Sequence, residues 1–155
     1  MISFEADSHQ FQYRVAAIVL DADCLLLHRV RGEAFWTLPG GRVNVGESAQ
    51  AAICREFEEE LGTPIDCGRL ACVGENFFCH NQMSHHEIGL YFYAFLPRDS
   101  SYKDKQLTYK GVEINRQLEF KWFEVHQLSH VDMRPHVIRD GLGAKTLPNH
   151  FVQHL

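Results

Sequence analysis

The sequence predicts an α+β domain, and three observations carry that expectation. Residues 13–20 (YRVAAIVL), 24–30 (CLLLHRV), 70–79, 88–96 and 118–125 (LEFKWFEV) are short runs rich in β-branched, aromatic and other apolar residues, so each reads as a strand. Ala49, Ile53, Phe57 and Leu61 recur four apart, which makes one apolar ridge of an amphipathic helix. The chain has 155 residues, 45% hydrophobic and 23% charged, long enough for one domain with its own core and ordinary for a soluble globular protein.

Taken in order, residues 1–12 are polar and read as a loose N-terminal arm. Strand 13–20 is followed by the turn-like Asp21-Ala22-Asp23 and returns along 24–30 as a hairpin. Gly32, Phe35-Trp36 and Leu38-Pro39-Gly40-Gly41 then form a loop able to take unusual backbone angles. Ser48 is a suitable N-cap for the helix, and Gly62 followed by Pro64 is a stop signal. Strands 70–79 and 88–96 are joined by the polar turn HNQMSHH. Residues 97–117 form a long polar connection of a kind that is often functional. Strand 118–125 follows, and the tail after Met133-Arg134-Pro135 suggests a short helix. No repeat, low-complexity tract or second domain interrupts residues 1–155, which are expected to be a single domain.

Net charge is −5 with no basic run, which argues against a nucleic-acid-holding protein, since neutralising phosphates needs clustered Lys and Arg. Five cysteines occur without a CxxC pair, so a reducing compartment is expected rather than a disulfide framework. The N-terminus lacks a basic and then apolar leader, and the longest apolar run, 88–96, is too short to span a bilayer. The expected location is cytoplasmic, with no membrane partner.

The helix poses an electrostatic problem. Glu56, Glu59 and Glu60 are i,i+3 and i,i+4 neighbours at roughly 100° per residue, so they share one stripe, while Glu58 points away to solvent. The stripe lies near the helix C-terminus, where the macrodipole disfavours negative charge and like charges repel. Arg55 is the one basic residue beside them, with its side chain starting about 100° from that of Glu56. A solvated acidic face is one reading. The other is a site for a hard divalent cation, because Mg²⁺ is held by a few carboxylates and completed by substrate phosphates.

These residues also resemble a known family. Nudix hydrolases carry Gly-x5-Glu-x7-Arg-Glu-U-x-Glu-Glu-x-Gly-U, with U a bulky apolar residue. Here the string is Gly41, Glu47, Arg55, Glu56, Phe57, Glu59, Glu60 and Gly62, and the departure is Thr63 at the last position. Leu38-Pro39-Gly40 and the strand pair before the box fit as well. The resemblance implies a mixed β-sheet sandwiched between helices. It implies binding of Mg²⁺ or Mn²⁺ and a diphosphate, with Glu56, Glu59 and Glu60 as metal ligands and the Gly40 carbonyl as a further one. Gly41, Glu47 and Gly62 would support the box, with Arg55 tied to Glu47 by a salt bridge. The implied reaction is hydrolysis of a nucleoside diphosphate linked to X. Glu56, Glu59 and Arg55 are its catalytic candidates, and Glu87, Glu113 and Glu119 are alternative bases from later segments. A homodimer is a further expectation of the resemblance, since many relatives pair.

Metal ions suit this chemistry because phosphoanhydride cleavage builds negative charge on oxygens and needs an oriented water. Arg29 and Arg31 are candidates to meet phosphate, and Glu87 and Glu119 to touch substrate. Phe35 and Trp36 are placed either to stack on a base or to fill the core. Phe120, Trp122 and Phe123 are expected to pack, and Cys54 to be a small core residue. Cys67, Cys72, Cys79, His80, His85 and His86 match no standard zinc spacing. No proline falls between Pro64 and Pro97, and no tyrosine between Gly62 and Tyr91. Those absences remove markers of ADP-ribose and dinucleoside-polyphosphate enzymes and leave a nucleoside triphosphate or nucleotide sugar as the expected substrate. A nucleotide-sensing module without catalysis is the alternative, and an isoprenoid-diphosphate isomerase a remote third.

Overall fold

The computed structural model describes residues 1–155. The N-terminal segment is not the loose arm expected of its polar residues. It is a hairpin of β1 (Ser3–Ala6) and the start of β2 (His9–Ile18), turned at Asp7 and Ser8, both at positive φ. Such paired positive-φ residues match the right-handed twist of two antiparallel strands. An edge hairpin needs few buried side chains, so its polar sequence hid it.

Strand β2 runs on into the apolar segment, and β3 (Leu20–Asp21) turns at Ala22-Asp23 into β4 (Cys24–Val30). The glycine loop carries two short strands, β5 (Trp36–Thr37) and β6 (Gly40–Arg42). Helix α1 is Ala49–Leu61, capped by Ser48, whose Oγ accepts from the Ala51 amide, and closed by Gly62 at φ 64°. Strands β7 (Asp66–His80) and β8 (Met83–Phe95) are longer than the sequence suggested. The expected turn of seven residues shrinks to Asn81-Gln82, because His85 and His86 join the ladder opposite Phe78 and Phe77 and stack on them. Inside the long polar connection lies β9 (Thr108–Lys110), which pairs with β10 (Leu118–Glu124). A 3-10 helix (Val125–His130), β11 (Met133–Arg134), α2 (His136–Ala144) and an unanticipated strand β12 (His150–His154) complete the chain.

The strands form two mixed sheets. One has the order β1-β2-β8-β7-β12 with β6 on β2, and the other β11-β5-β4-β10-β9 with β3 on β4. The β2–β8 and β7–β12 pairings are parallel and bring together segments far apart in sequence. Helix α1 packs Ala52, Ile53, Phe57 and Leu61 against Val15, Ala17, Phe92, Phe120 and Trp122. Helix α2 packs Ile138 and Leu142 against Ala16, Ile18, Leu25, Leu27 and Tyr91. The strands are thus sandwiched between helices. Full burial of each large apolar side chain contributes about 1.5–3 kcal/mol, so the ridge fixes which side of α1 faces inward. Cys54, one position off the ridge, is exposed rather than in the core. No helix is long and apolar enough to cross a membrane.

Candidate active site

The glutamate stripe is divided by its surroundings. Glu56 and Glu60 are buried, at 7% and 1% exposure, whereas Glu59 keeps about half its side chain in solvent (49%) and Glu58 is exposed. Arg55 reaches further than its starting direction on the helix suggested. Its guanidinium donates from Nε to Glu47 (2.7 Å), from Nη2 to Glu47 (2.9 Å) and to the Arg42 carbonyl (2.9 Å). Its Nη1 donates to Glu56 (2.8 Å) and Glu59 (3.2 Å). Glu47 in turn accepts from the Asn44 amide (3.0 Å), so the loop before the helix is tied to the helix by one fork. The Arg55 hydrogen bonds hold the Glu47 carboxyl below its ordinary range. Burial raises that of Glu56, against the pull of Arg55 and with the push of Glu60 and Glu59.

The glycines of the loop are there for space. A Cβ on Gly40 would lie 2.0 Å from the Val15 carbonyl oxygen, and one on Gly41 would lie 2.2–2.5 Å from the Glu56 carboxyl atoms. Gly41→Ala therefore pushes Glu56 off Arg55. We expect at least a tenfold loss of turnover with a stability loss of about 1–3 kcal/mol, the range for overpacking. Initial rates and urea midpoints on the same sample check it.

Glu60 turns away from Arg55. It lies 3.5 Å from Arg116 Nη1 and 3.5 Å from Nδ1 of the buried His28. That imidazole nitrogen makes no hydrogen bond. Burial lowers the His28 pKa, with Glu60 opposing, so the ring is neutral and the contact is no ion pair. The folded pKa lies below the unfolded value of about 6.5, so the unfolded chain takes up the proton first and stability falls as pH drops through that range. Between pH 7.5 and 5.5 the melting temperature of the wild type is expected to fall more than that of His28→Leu.

No three His, Cys, Asp or Glu side chains converge closely enough to make a metal cage of their own. Glu56 and Glu59 meet at Arg55, and Glu60 meets His28 and Arg116. The donors are all hard carboxylate oxygens, and two of them are buried one helical turn apart. That set fits an Mg²⁺-like ion that takes a few carboxylates and keeps places for water and phosphate, not a closed protein site.

Beside this helix opens a cleft of about 560 Å³. His28 and Arg116 line it, so it reaches Glu60 through these two side chains. Arg29 lines it too, held by Glu119 and stacked 4.3 Å over Trp36. Arg31 is exposed and lies outside the cleft. Arg14 and Arg134 also line it, the latter 4.4 Å over the Phe35 ring. Trp36 itself is buried against Phe123, which resolves its two readings in favour of packing. Glu87 is buried in the cleft wall and bonded to Gln12 and Asn76. Of the alternative bases, Glu119 and Glu87 are thus engaged, while Glu113 has a buried Oε2 without a partner. Glu113 follows Val112, whose amide caps the Glu60 carbonyl at 2.8 Å. Gln12, Arg14, Asn76 and Arg116 were not singled out from sequence. A charged or amide residue inside an apolar strand, as at Arg14, was the available signal.

Similar folds occur among solved structures. A NUDIX hydrolase from Nitrosomonas europaea superposes with a TM-score of 0.64 at 20% identity, covering 93% of this chain and 79% of that one. A UDP-X diphosphatase gives 0.60 at 20% identity, covering 90% and 66%. An ADP-ribose pyrophosphatase from Streptococcus suis gives 0.56 at 13%, covering 92% and 98%. A protein of Mycobacterium tuberculosis named "Putative 8-oxo-dGTP diphosphatase 2" is 44% identical over 52 residues. That match spans 32% of this chain and 37% of that protein, so about a third of each is aligned. The NUDIX domain model matches residues 10–140, and the chain belongs to the NUDIX domain family.

Proposed function

We propose that the protein is a Mg²⁺-dependent pyrophosphohydrolase that cleaves a nucleoside diphosphate linked to X, with a nucleoside triphosphate or nucleotide sugar as substrate. The observation that carries this reading is the juxtaposition of the Glu56–Glu60 stripe with a cleft lined by Arg14, Arg29, Arg116 and Arg134. The carboxylates of the stripe meet cations only at Arg55 and Arg116, and a metal–diphosphate unit matches both halves. Glu56, Glu59 and Glu60, with the carbonyl of Gly40, would hold Mg²⁺ or Mn²⁺. When bound, such an ion neutralises phosphate charge and makes a water acidic.

The chain's own residues supply the rest. The cleft arginines bind and orient the diphosphate, which accounts for much of catalysis in phosphoryl chemistry. Arg55 holds Glu56 and Glu59 at one edge of the helix and ties them to the loop through Glu47. Glu56 or Glu59 accepts the proton of the attacking water, with Glu113 as the base if that role falls to a later loop. Five free cysteines and no CxxC pair support a cytoplasmic location.

The test is a product assay for phosphate and nucleoside monophosphate. It covers nucleoside triphosphates, nucleotide sugars, ADP-ribose and dinucleoside polyphosphates, each with Mg²⁺, Mn²⁺ or chelator. Turnover of a triphosphate or nucleotide sugar that chelator abolishes is the expected result. Silence across the panel despite ligand-dependent thermal shifts would overturn hydrolysis in favour of nucleotide sensing.

A further inference from the structure

Strand β4 follows its fully buried leucines with a histidine. Leu25, Leu26 and Leu27 are 0% exposed, and His28, next in line, is 4% exposed. Side chains alternate along a strand, so His28 shares the face of Leu26, which belongs to the cluster packed under α1. Its cross-strand partner is Phe120 of the same cluster, with the two rings 5.3 Å apart. An apolar side chain would fill this place without polar cost, whereas a buried imidazole calls for partners. Its Nδ1 is buried, makes no hydrogen bond and has Glu60 Oε2 at 3.5 Å.

The neutral ring carries one proton, on Nδ1 or on Nε2. A bare Nδ1 would set its lone pair against a carboxylate, two acceptors face to face with no donor between them. A proton on Nδ1 turns the same contact into a donor aimed at Oε2, at the long end of hydrogen-bond distance. Hydrogen bonds of a working site are often long before the ligand binds and tighten with it. The other hold on Glu60 is Arg116, 3.5 Å from Oε1, but half of that side chain (49%) lies in solvent on the approach to β10. His28 stands on β4 between β5 and β10, opposite Thr37 and Phe120, so it is the more rigid of the two.

We propose that His28 is a positioning residue for the cation site: its Nδ1–H donates to Glu60 and holds that carboxylate ready for a divalent cation. The inference rests on the Glu56–Glu60 stripe being that site. A carboxylate has about four lone-pair sites, so the bond leaves Glu60 free to ligate. A neutral donor also adds no positive charge beside the incoming ion, as a lysine or arginine in the same place would.

The experiment compares the wild type with His28→Leu and His28→Asn, each shown to be folded by its melting curve in EDTA. Asparagine places an amide N–H about where Nδ1 stands, and leucine places none. Mg²⁺ is titrated calorimetrically into protein saturated with a non-hydrolysable methylene-bridged nucleoside diphosphate. The Kd for Mg²⁺ is expected to rise at least ~10-fold in His28→Leu, the loss typical of removing a hydrogen-bond partner of a metal ligand, and to stay near the wild-type value in His28→Asn. Long-range proton–nitrogen NMR spectra of the wild type read the tautomer without any variant, and the proton is expected on Nδ1. A proton on Nε2 overturns the proposal, and so does an unchanged Kd in folded His28→Leu. An equal loss in both variants assigns His28 to packing and overturns it as well. If His28→Leu does not fold, the tautomer and the His28→Asn titration decide. If the wild type binds Mg²⁺ but cleaves no nucleotide, hydrolysis fails while the weakened binding in His28→Leu still upholds the inference. If the wild type binds no Mg²⁺ even with the nucleotide, the cation site and the inference fall together.

Discussion

Glu56→Gln is expected to lower kcat by at least ~10²–10³-fold, the loss typical of removing one preorganised charge-stabilising group, while the fold survives. The substitution keeps the side-chain volume in a buried site. It also keeps an oxygen able to accept from Arg55 Nη1, now 2.8 Å from Glu56. What it removes is a negative charge that burial and its glutamate neighbours already disfavour. A structural role therefore predicts little change or a small gain in melting temperature in chelator, and a site role predicts lost turnover at that same stability. Rates with Mg²⁺ and melting curves with EDTA separate the two.

Arg55→Ala has the larger structural effect. The guanidinium bonds Glu47 twice, Glu56, Glu59 and the Arg42 carbonyl, so its loss leaves acidic groups facing one another without a cation. Breaking a fully buried pair costs about 3–5 kcal/mol. Arg55 keeps 26% of its side chain in solvent, and screening reduces the figure to roughly 2–4 kcal/mol. Turnover falls with it because Glu56 and Glu59 lose their common anchor. Arg55→Lys restores the charge without the planar fork and is expected to recover less than half of the lost stability. The Glu47 share has a pH signature: its folded pKa is depressed, so its stabilisation is present above the unfolded value near 4.3 and is lost as pH falls through the folded one. Urea midpoints at pH 7 and pH 4 for wild type and Arg55→Ala check both parts.

The box and its helix were legible because everything that specifies them is local. Ser48, the Ile53–Phe57–Leu61 ridge and Gly62 set the helix ends, and the Glu47–Arg55 pair spans only eight residues. The cleft was not legible in the same way. Its lining comes from β2, β4, β7, β8, the approach to β10 and the start of α2, and the β2–β8 pairing that sets Gln12 beside Glu87 is parallel and non-local. No period or spacing announces such a contact. Arg31 and Arg29 were equal candidates in sequence, two residues apart on one strand end, yet Glu119 on the neighbouring strand holds only Arg29 at the cleft. The N-terminal hairpin and β12 were missed for a related reason. Both are edge strands in which apolar side chains are exposed (Phe4, Val152) and a polar one is buried (Gln153), so hydrophobic patterning is weakest there. A row of rings gives the hairpin its register instead: Phe4, Phe11, His86, Phe77 and His154 are successive cross-strand partners over the whole sheet.

We propose that the buried glutamates are completed by a divalent cation and a diphosphate together. Scanning calorimetry with Mg²⁺ alone, with a non-hydrolysable methylene-bridged nucleoside diphosphate alone, and with both tests it most directly, because a ligand of the native state raises the melting temperature by mass action. The expected result is a shift with both that exceeds the sum of the separate shifts and that disappears in Glu56→Gln. No shift at millimolar Mg²⁺, with or without the nucleotide, would contradict it.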